Sequence, residues 1–361
     1  MFLNKLFLCN YNECNMEKKP VYYHDYLQLD KILGSQHPES FENNHIPAHD
    51  EMLFIIIHQS YELWFKQILF EVDSAVAVMK QPAINDNTPE LQTVVHRLNR
   101  VITILKVLVH QIDIMETMTP MDFLDFRDLL RPASGFQSWQ FKTLEAKLGL
   151  QYEERFGKEY YTSQLYQPEI DTIKKAEHEK SLITVVNNWL ERMPYFDSTE
   201  NWKDFTATDQ QENIHPYWST YRACYSNSLA EAERNNLEVF NTIFIEGKQS
   251  GQLSAKASRA ALFIMLYRGY PVMHLPFELL NNLLEIDEQM STWRYRHMNM
   301  VQRMIGTRIG TGGSSGKDYL RAALDKHYIF KEFAGLTSFL IERSKLPALP
   351  ASLIRNLSFN M

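Results

Sequence analysis

The sequence predicts an all-α fold, with long antiparallel helices packed as one bundle. Three observations lead there. Apolar residues recur every three to four positions over long stretches. Two-residue alternation flanked by turns is almost absent. Glycine is scarce, 13 of 361 residues, roughly half the usual ~7 %, while Met (15), Phe (21) and Tyr (18) are plentiful. A turn-rich sandwich or a glycine-looped nucleotide fold carries more glycine, whereas bulky side chains suit a helical interior.

Residues 50–80 read as the first long helix, with Leu53, Ile56, Ile57, Ser60, Tyr61, Trp64, Ile68 and Leu69 at 3.6-residue spacing. Thr88-Pro89-Glu90 joins an N-cap, a Pro at the first helical position and an acid in the first turn. The helix it starts runs to about Met118, with Leu91, Val94, Val95, Leu98, Val101, Ile102, Leu105, Leu108 and Ile112 inward. Thr119-Pro120-Met121-Asp122 repeats the signal for a short helix ending near Arg131-Pro132. Further helices are expected at 137–149, 169–192, 216–246, 254–268, 276–306, 317–327 and 329–343, with an irregular loop at 195–215.

No internal repeat or low-complexity linker divides the chain, so residues 20–361 read as a single all-α domain. Residues 1–19 read as a flexible leader. Phe2–Cys9 lacks the apolar core and cleavage site of a secretion signal, and Met16 opens a polar stretch, so 1–15 is a dispensable leader or an over-called start.

The net charge of −7 leaves no basic excess for phosphates, which excludes nucleic acid as the expected partner. Cys9, Cys14 and Cys224 are too few and scattered for a disulfide framework and suit a reducing cytoplasm. Apolar runs such as Ala260–Tyr267 fall far short of the ~20 residues a membrane span needs.

Four stretches carry polar chemistry in apolar settings. In Phe54–Phe65, His58 follows Phe54 by one helical turn. It is either a satisfied core histidine or the polar group of an aromatic-walled pocket. Arg127 lies in the Phe- and Leu-rich segment FLDFRDLL. It either pairs with a nearby acid or grips a ligand carboxylate with its fork. The small-residue loop after it, PASGFQS, allows close backbone approach to a ligand. His297, flanked by Trp293 and Met298, is either structural or a haem axial ligand. Finally, five glycines fall within 306–316. That loop fails the phosphate-binding patterns, because Thr311, Ser315 and Asp318 occupy required positions, and it follows a helix rather than a strand. It reads as a lid over a small-molecule pocket.

Together with Tyr23-His-Asp-Tyr26-Leu27, the stretches FIIIHQSYELWFKQ, FRDLLRPASGFQS, WRYRH and IGTRIGTGGSSG occur in order over roughly residues 20–330. In this the sequence resembles the tryptophan 2,3-dioxygenase family. The resemblance implies a haem-binding helical bundle that inserts O₂ across the indole C2–C3 bond of L-tryptophan. The product is N-formyl-L-kynurenine, in the first step of the kynurenine pathway. It also implies one haem b per subunit, ferrous when active, with His297 as its axial ligand and Gly135 beside it. The implied catalytic residue is His58, placed to accept the indole N–H. Phe54 walls the indole, with Ile55, Ile56 and Ile57 alongside. Arg127 holds the carboxylate, Thr311 the ammonium and carboxylate end, and Ser134 lies near the oxygen side. Tyr23, Tyr26 and Leu27 complete a neighbouring subunit's pocket in a cytoplasmic homotetramer with exchanged N-terminal segments. Phe123 stands where many bacterial members have Tyr, which removes one hydroxyl contact to the carboxylate. The alternatives are a haem-dependent hydroxylase of another aromatic amino acid and a non-enzymatic haem sensor.

Overall fold

A computed structural model describes residues 20–42, 44–82, 84, 88–155, 162–208, 214–310, 320, 321, 324 and 327–358. The leader 1–19, Thr311 with most of the glycine-rich loop, and most of the helix expected at 317–327 lie outside the described residues.

Two short helices, α1 (Tyr23–Leu27) and α2 (Leu29–Leu33), flank Gln28, which turns the chain in a left-handed conformation (φ 53°, ψ 47°). The long α3 (Glu51–Met79) follows. Next comes α4 (Pro89–Met115), where the Thr88 hydroxyl accepts the Leu91 amide as foreseen. The short α5 (Pro120–Arg127) opens on a reciprocal cap. The Thr119 hydroxyl accepts the Asp122 amide at 3.3 Å, and the Asp122 carboxylate accepts the Thr119 amide at 2.8 Å. After it come α6 (Trp139–Leu148), α7 (Gln167–His178), α8 (Leu182–Leu190) and α9 (Thr199–Trp202). The remainder are α10 (Pro216–Ser228), α11 (Asn235–Phe240), α12 (Ala255–Leu266), α13 (His274–Ile305), α14 (Lys331–Gly335) and α15 (Ala351–Leu357). Among the described residues no strand forms beyond one isolated bridge between Ser250 and Leu253.

All nine positions expected to face inward on α4 are buried, because its apolar stripe is narrow and strictly periodic. The first half of α3 departs from its spacing. Ile56 and Trp64 are exposed, and so are Leu63 and Phe70. That helix is apolar around most of its circumference, so spacing could not select a face. Its interior stripe is Phe65, Ile68, Val72, Ala75, Val76 and Met79.

Three expected helices are corrected, and the loop expected at 195–215 carries the one-turn α9. The helix at 169–192 is two helices, because Glu179 turns extended and the Ser181 hydroxyl caps α8 by accepting the Thr184 amide at 3.4 Å. The helix at 216–246 breaks at Leu229 and Ala230, both extended. Past the break, the Glu233 carboxylate accepts the Ala230 amide and a π-helical turn at Asn241–Ile245 completes the segment. The helix at 329–343 shortens to α14 and a 3₁₀ turn at Leu336–Phe339, whose Ser338 and Phe339 carbonyls accept the buried hydroxyls of Tyr225 and Tyr221.

Polar contacts fix the helix directions. α3 and α4 are antiparallel: the Tyr61 hydroxyl donates to the Leu108 carbonyl at 2.9 Å, while Arg100 pairs with Glu71 at 2.7 Å. α13 runs parallel to α4. Asn282 donates to the Val95 carbonyl at 3.2 Å, Glu285 pairs with Lys106 at 2.9 Å, and Arg296 meets Asp113 at 2.6 Å. The start of α3, the end of α4 and the last turns of α13 therefore meet at one end of the bundle, where α5 covers them. A separate apolar cluster marks that end, with Ile57, Met115, Met118 and Phe126 buried and Phe54, Phe123, Met300 and Met304 packed around them.

Candidate functional site

The polar groups at this end of the bundle come from three helices. On α3, the His58 Nδ1 donates to the Phe54 carbonyl at 2.7 Å, one turn back. This leaves Nε2 as the acceptor nitrogen of a neutral ring. Burial lowers the His58 pKa, against the opposing pull of that carbonyl and of Glu62. The Phe54 ring lies 4.1 Å from the imidazole, 5.7 Å from Phe123 in a stack and 5.6 Å from Phe126 edge-on. Phe123 thus joins the aromatic wall one turn before Arg127.

On α13, His297 stacks on Trp293, with centroids 5.1 Å apart and planes within 7°. Trp293 is itself held by Phe141 at 5.0 Å and by Tyr61 and Phe65 edge-on. Burial, and then the nearby His58, push the His297 pKa down to about 4. The His58 ring thus lies close enough to act on the His297 imidazole. The His297 Nδ1 is buried with no hydrogen-bond partner among the described residues.

On α5, Arg127 is buried. One Nη donates to the Ile309 carbonyl, the Asp128 carboxylate lies 3.9 Å from the other, and Nε is buried without a partner among the described residues. Neither foreseen role excludes the other: the side chain is docked on backbone and has a buried donor unpartnered among the described residues, which a carboxylate suits. Ile309 is brought there by Gly306, which ends α13 at φ 59°, ψ −123°, a conformation a Cβ disfavours.

Ser134 caps the turn beyond α5, its hydroxyl accepting the Phe136 amide at 3.3 Å while its amide donates to Gln137 at 3.1 Å. A Cβ at Gly135 would meet nothing within 4 Å, so this backbone borders open space. Ile57 is buried in the cluster, Ile55 is partly buried and Ile56 faces out. Tyr23 and Tyr26 are exposed and Leu27 is partly exposed on α1, and Thr311 lies outside the described residues. Glu145 and Arg294, which bear on this end of the bundle, were not singled out from the sequence, and Tyr61 was read only as a position on the helix face. Arg294 stands within WRYRH, the one local signal for it.

The donor set fits one kind of metal group. Among the described residues no three His, Cys, Asp or Glu side chains converge as a metal cage. A single neutral imidazole is enough only where the metal brings its other ligands with it, as a porphyrin does.

The family model for tryptophan 2,3-dioxygenase matches residues 9–340. The chain belongs to the tryptophan 2,3-dioxygenase family. It is 42 % identical to the tryptophan 2,3-dioxygenase of Bdellovibrio bacteriovorus, over 96 % of this chain and 100 % of that protein. It is 45 % identical to that of Alteromonas mediterranea, over 94 % and 98 %. Against that of Dictyostelium discoideum the figures are 42 %, 95 % and 89 %. Similarity to the family thus extends beyond the motifs quoted above toward both ends of the chain.

Proposed function

We propose that this chain is a tryptophan 2,3-dioxygenase that binds haem b on His297 and converts L-tryptophan and O₂ to N-formyl-L-kynurenine. One observation carries the reading: two imidazoles on antiparallel helices and a buried guanidinium, with one donor unpartnered among the described residues, share one aromatic-lined end of the bundle. Both oxygen atoms enter the product as the C2–C3 bond breaks, so no external reductant is consumed.

Haem, when bound, supplies the binding and activation of O₂. The chain supplies orientation. Arg127 pairs with the substrate carboxylate, and the aromatic wall of Phe54 and Phe123 receives the indole edge. The His58 Nε2 accepts the indole N–H, because its other nitrogen is committed to the Phe54 carbonyl. Indole N–H is a very weak acid, so this bond orients and polarises rather than removing the proton beforehand. Thr311 is assigned the ammonium and carboxylate end, Ser134 the oxygen side and Gly135 the haem edge.

The assembly we propose is a homotetramer with exchanged N-terminal segments. Tyr22, Tyr23, Tyr26 and Leu33 are 71–74 % exposed, an apolar surface that a second subunit would cover. Tyr23, Tyr26 and Leu27 then complete the neighbour's pocket. Residues 20–361 act as one domain behind the leader 1–19. A cytoplasmic location fits the sparse cysteines. No helix among the described residues is long and apolar enough to cross a membrane.

The test is product mass. Haem-loaded, reduced protein given L-tryptophan and air should yield a product two oxygen atoms heavier. Gain of one oxygen makes the chain a hydroxylase, and intact haem without product makes it a sensor.

A further inference from the structure

We propose that Glu145 is a positioning residue for the His297 imidazole, acting through Arg294. The inference rests on the reading of His297 as the haem ligand.

Glu145 on α6 and Arg294 on α13 are 3 % and 4 % exposed. One Glu145 oxygen accepts Arg294 Nη2 at 2.8 Å and His327 Nδ1 at 3.1 Å, and the other accepts Arg155 Nη1 at 2.7 Å. Arg294 spends its second Nη on the His327 carbonyl at 3.1 Å. Arg155 is fixed in turn by Glu177 at 3.2 Å and by the Lys142 carbonyl at 3.0 Å. Burial alone would raise the Glu145 pKa, yet the His327 hydrogen bond and the neighbouring cations hold it well below the usual carboxylate range. The carboxylate therefore stays charged, and every partner is directional.

Buried ion groups add little net stability compared with apolar packing, but they are demanding in geometry. This one sits where geometry matters. Arg294 lies three residues before His297, about 4.5 Å along the helix axis. Its two bonds run to different segments, which resists both rotation and sliding of α13 at that turn. Trp293, the adjacent residue, carries the same restraint into the site, since it packs on Phe141 of α6 and stacks on His297. α6 thus grips α13 twice within one turn of the imidazole, once by charge and once by aromatic contact. Loosening the first grip lets the ring tilt against whatever it binds.

The experiment uses the full-length haem protein. Its readouts are the iron–imidazole stretching frequency of the ferrous form, by resonance Raman, and the rate of haem transfer to excess apomyoglobin. Glu145→Gln removes the charge, and Arg294→Lys keeps the charge but loses the fork. Both should shift and broaden the stretch and speed haem loss about tenfold. Leu105→Ala, a core variant on α4, should lower the melting temperature and leave the frequency unchanged. Should Glu145→Gln fail to fold, Arg294→Lys decides alone. A wild-type frequency and off-rate in folded Arg294→Lys overturns the proposal. His297→Ala separates the two readings. If it keeps haem with an unaltered spectrum, the haem assignment itself fails, whereas loss of haem there with unmoved Glu145 and Arg294 variants sinks only the positioning role.

Discussion

The His58 Nδ1 donates to the Phe54 carbonyl at 2.7 Å, so Phe54, the proposed wall of the pocket, also sets the tautomer of His58, the proposed reader of the substrate. This bond makes Nε2 an acceptor without any help from pH. Replacing His58 by Ala removes one neutral hydrogen bond, worth about 0.5–1.5 kcal/mol, together with ring contact. His58→Ala should therefore keep measurable turnover, lowered roughly ten- to a hundredfold. Steady-state kinetics with L-tryptophan check this, and complete loss of activity in a haem-loaded variant would instead make His58 an obligatory base.

Arg127 is poised differently, because its Nε is buried with no partner among the described residues. Charge-assisted bonds contribute about 1.5–3 kcal/mol each, and every ~1.4 kcal/mol is tenfold in affinity. Arg127→Ala should raise the KM for L-tryptophan by one to several orders of magnitude. Tryptamine, which lacks the carboxylate, should be a poor substrate of the wild type and lose little further in the variant. Equal turnover of tryptamine and tryptophan by the wild-type protein would remove Arg127 from the carboxylate.

Acid sensitivity should trace in part to His215, far along the chain from the site. Its Nδ1 accepts the Tyr217 amide at 3.2 Å and so caps α10, and its ring lies 4.9 Å from Trp202 and 5.3 Å from Phe196. Burial, and then Arg259, push its pKa down to about 4. A histidine more acidic when folded than when unfolded contributes stability above about pH 6.5 that fades as pH falls toward 4. His215→Asn keeps a cap without a titrating group. Between pH 7 and 5 the variant should lose on the order of 1 kcal/mol less stability than the wild type in urea unfolding, after allowing for residual solvent screening. Parallel pH profiles would refute this.

Core packing gives the plainest expectation. Leu105 on α4 is 2 % exposed. Leu105→Ala should cost about 2–5 kcal/mol, the range for a leucine whose cavity cannot collapse. Urea unfolding measures it, and a loss under 1 kcal/mol would mean that α4 shifts to fill the space.

How much of this was legible depended on how local the cause was. The caps at Thr88 and Thr119 act over three residues, and both starts were readable. The α4 face was readable because its polar and apolar residues alternate cleanly about the helix. On α3, Ile56 and Trp64 looked inward because nearly every neighbour is apolar. The break at Ser181 was masked by a helical pattern on both sides of it. In the site, His58, Arg127 and His297 were visible as polar chemistry in apolar helices, and Phe54 as the aromatic one turn before His58. The Ile309 carbonyl on Arg127 was not, since 182 residues separate the partners. Nor was Glu145, whose role depends on α6 lying against α13.

The shared direction of α4 and α13 has a consequence for biogenesis. Asn282 and Val95 touch although 187 residues separate them along the chain. As synthesis proceeds, the helices with His58 and Arg127 leave the ribosome long before the one with His297. Until that last quarter emerges, the nascent polypeptide holds half a cavity, its apolar end uncovered and the helix bearing His297, the proposed haem ligand, not yet made. On the proposed haem assignment, cofactor capture is a late event, and a polypeptide released early should stay colourless and be a target for chaperones.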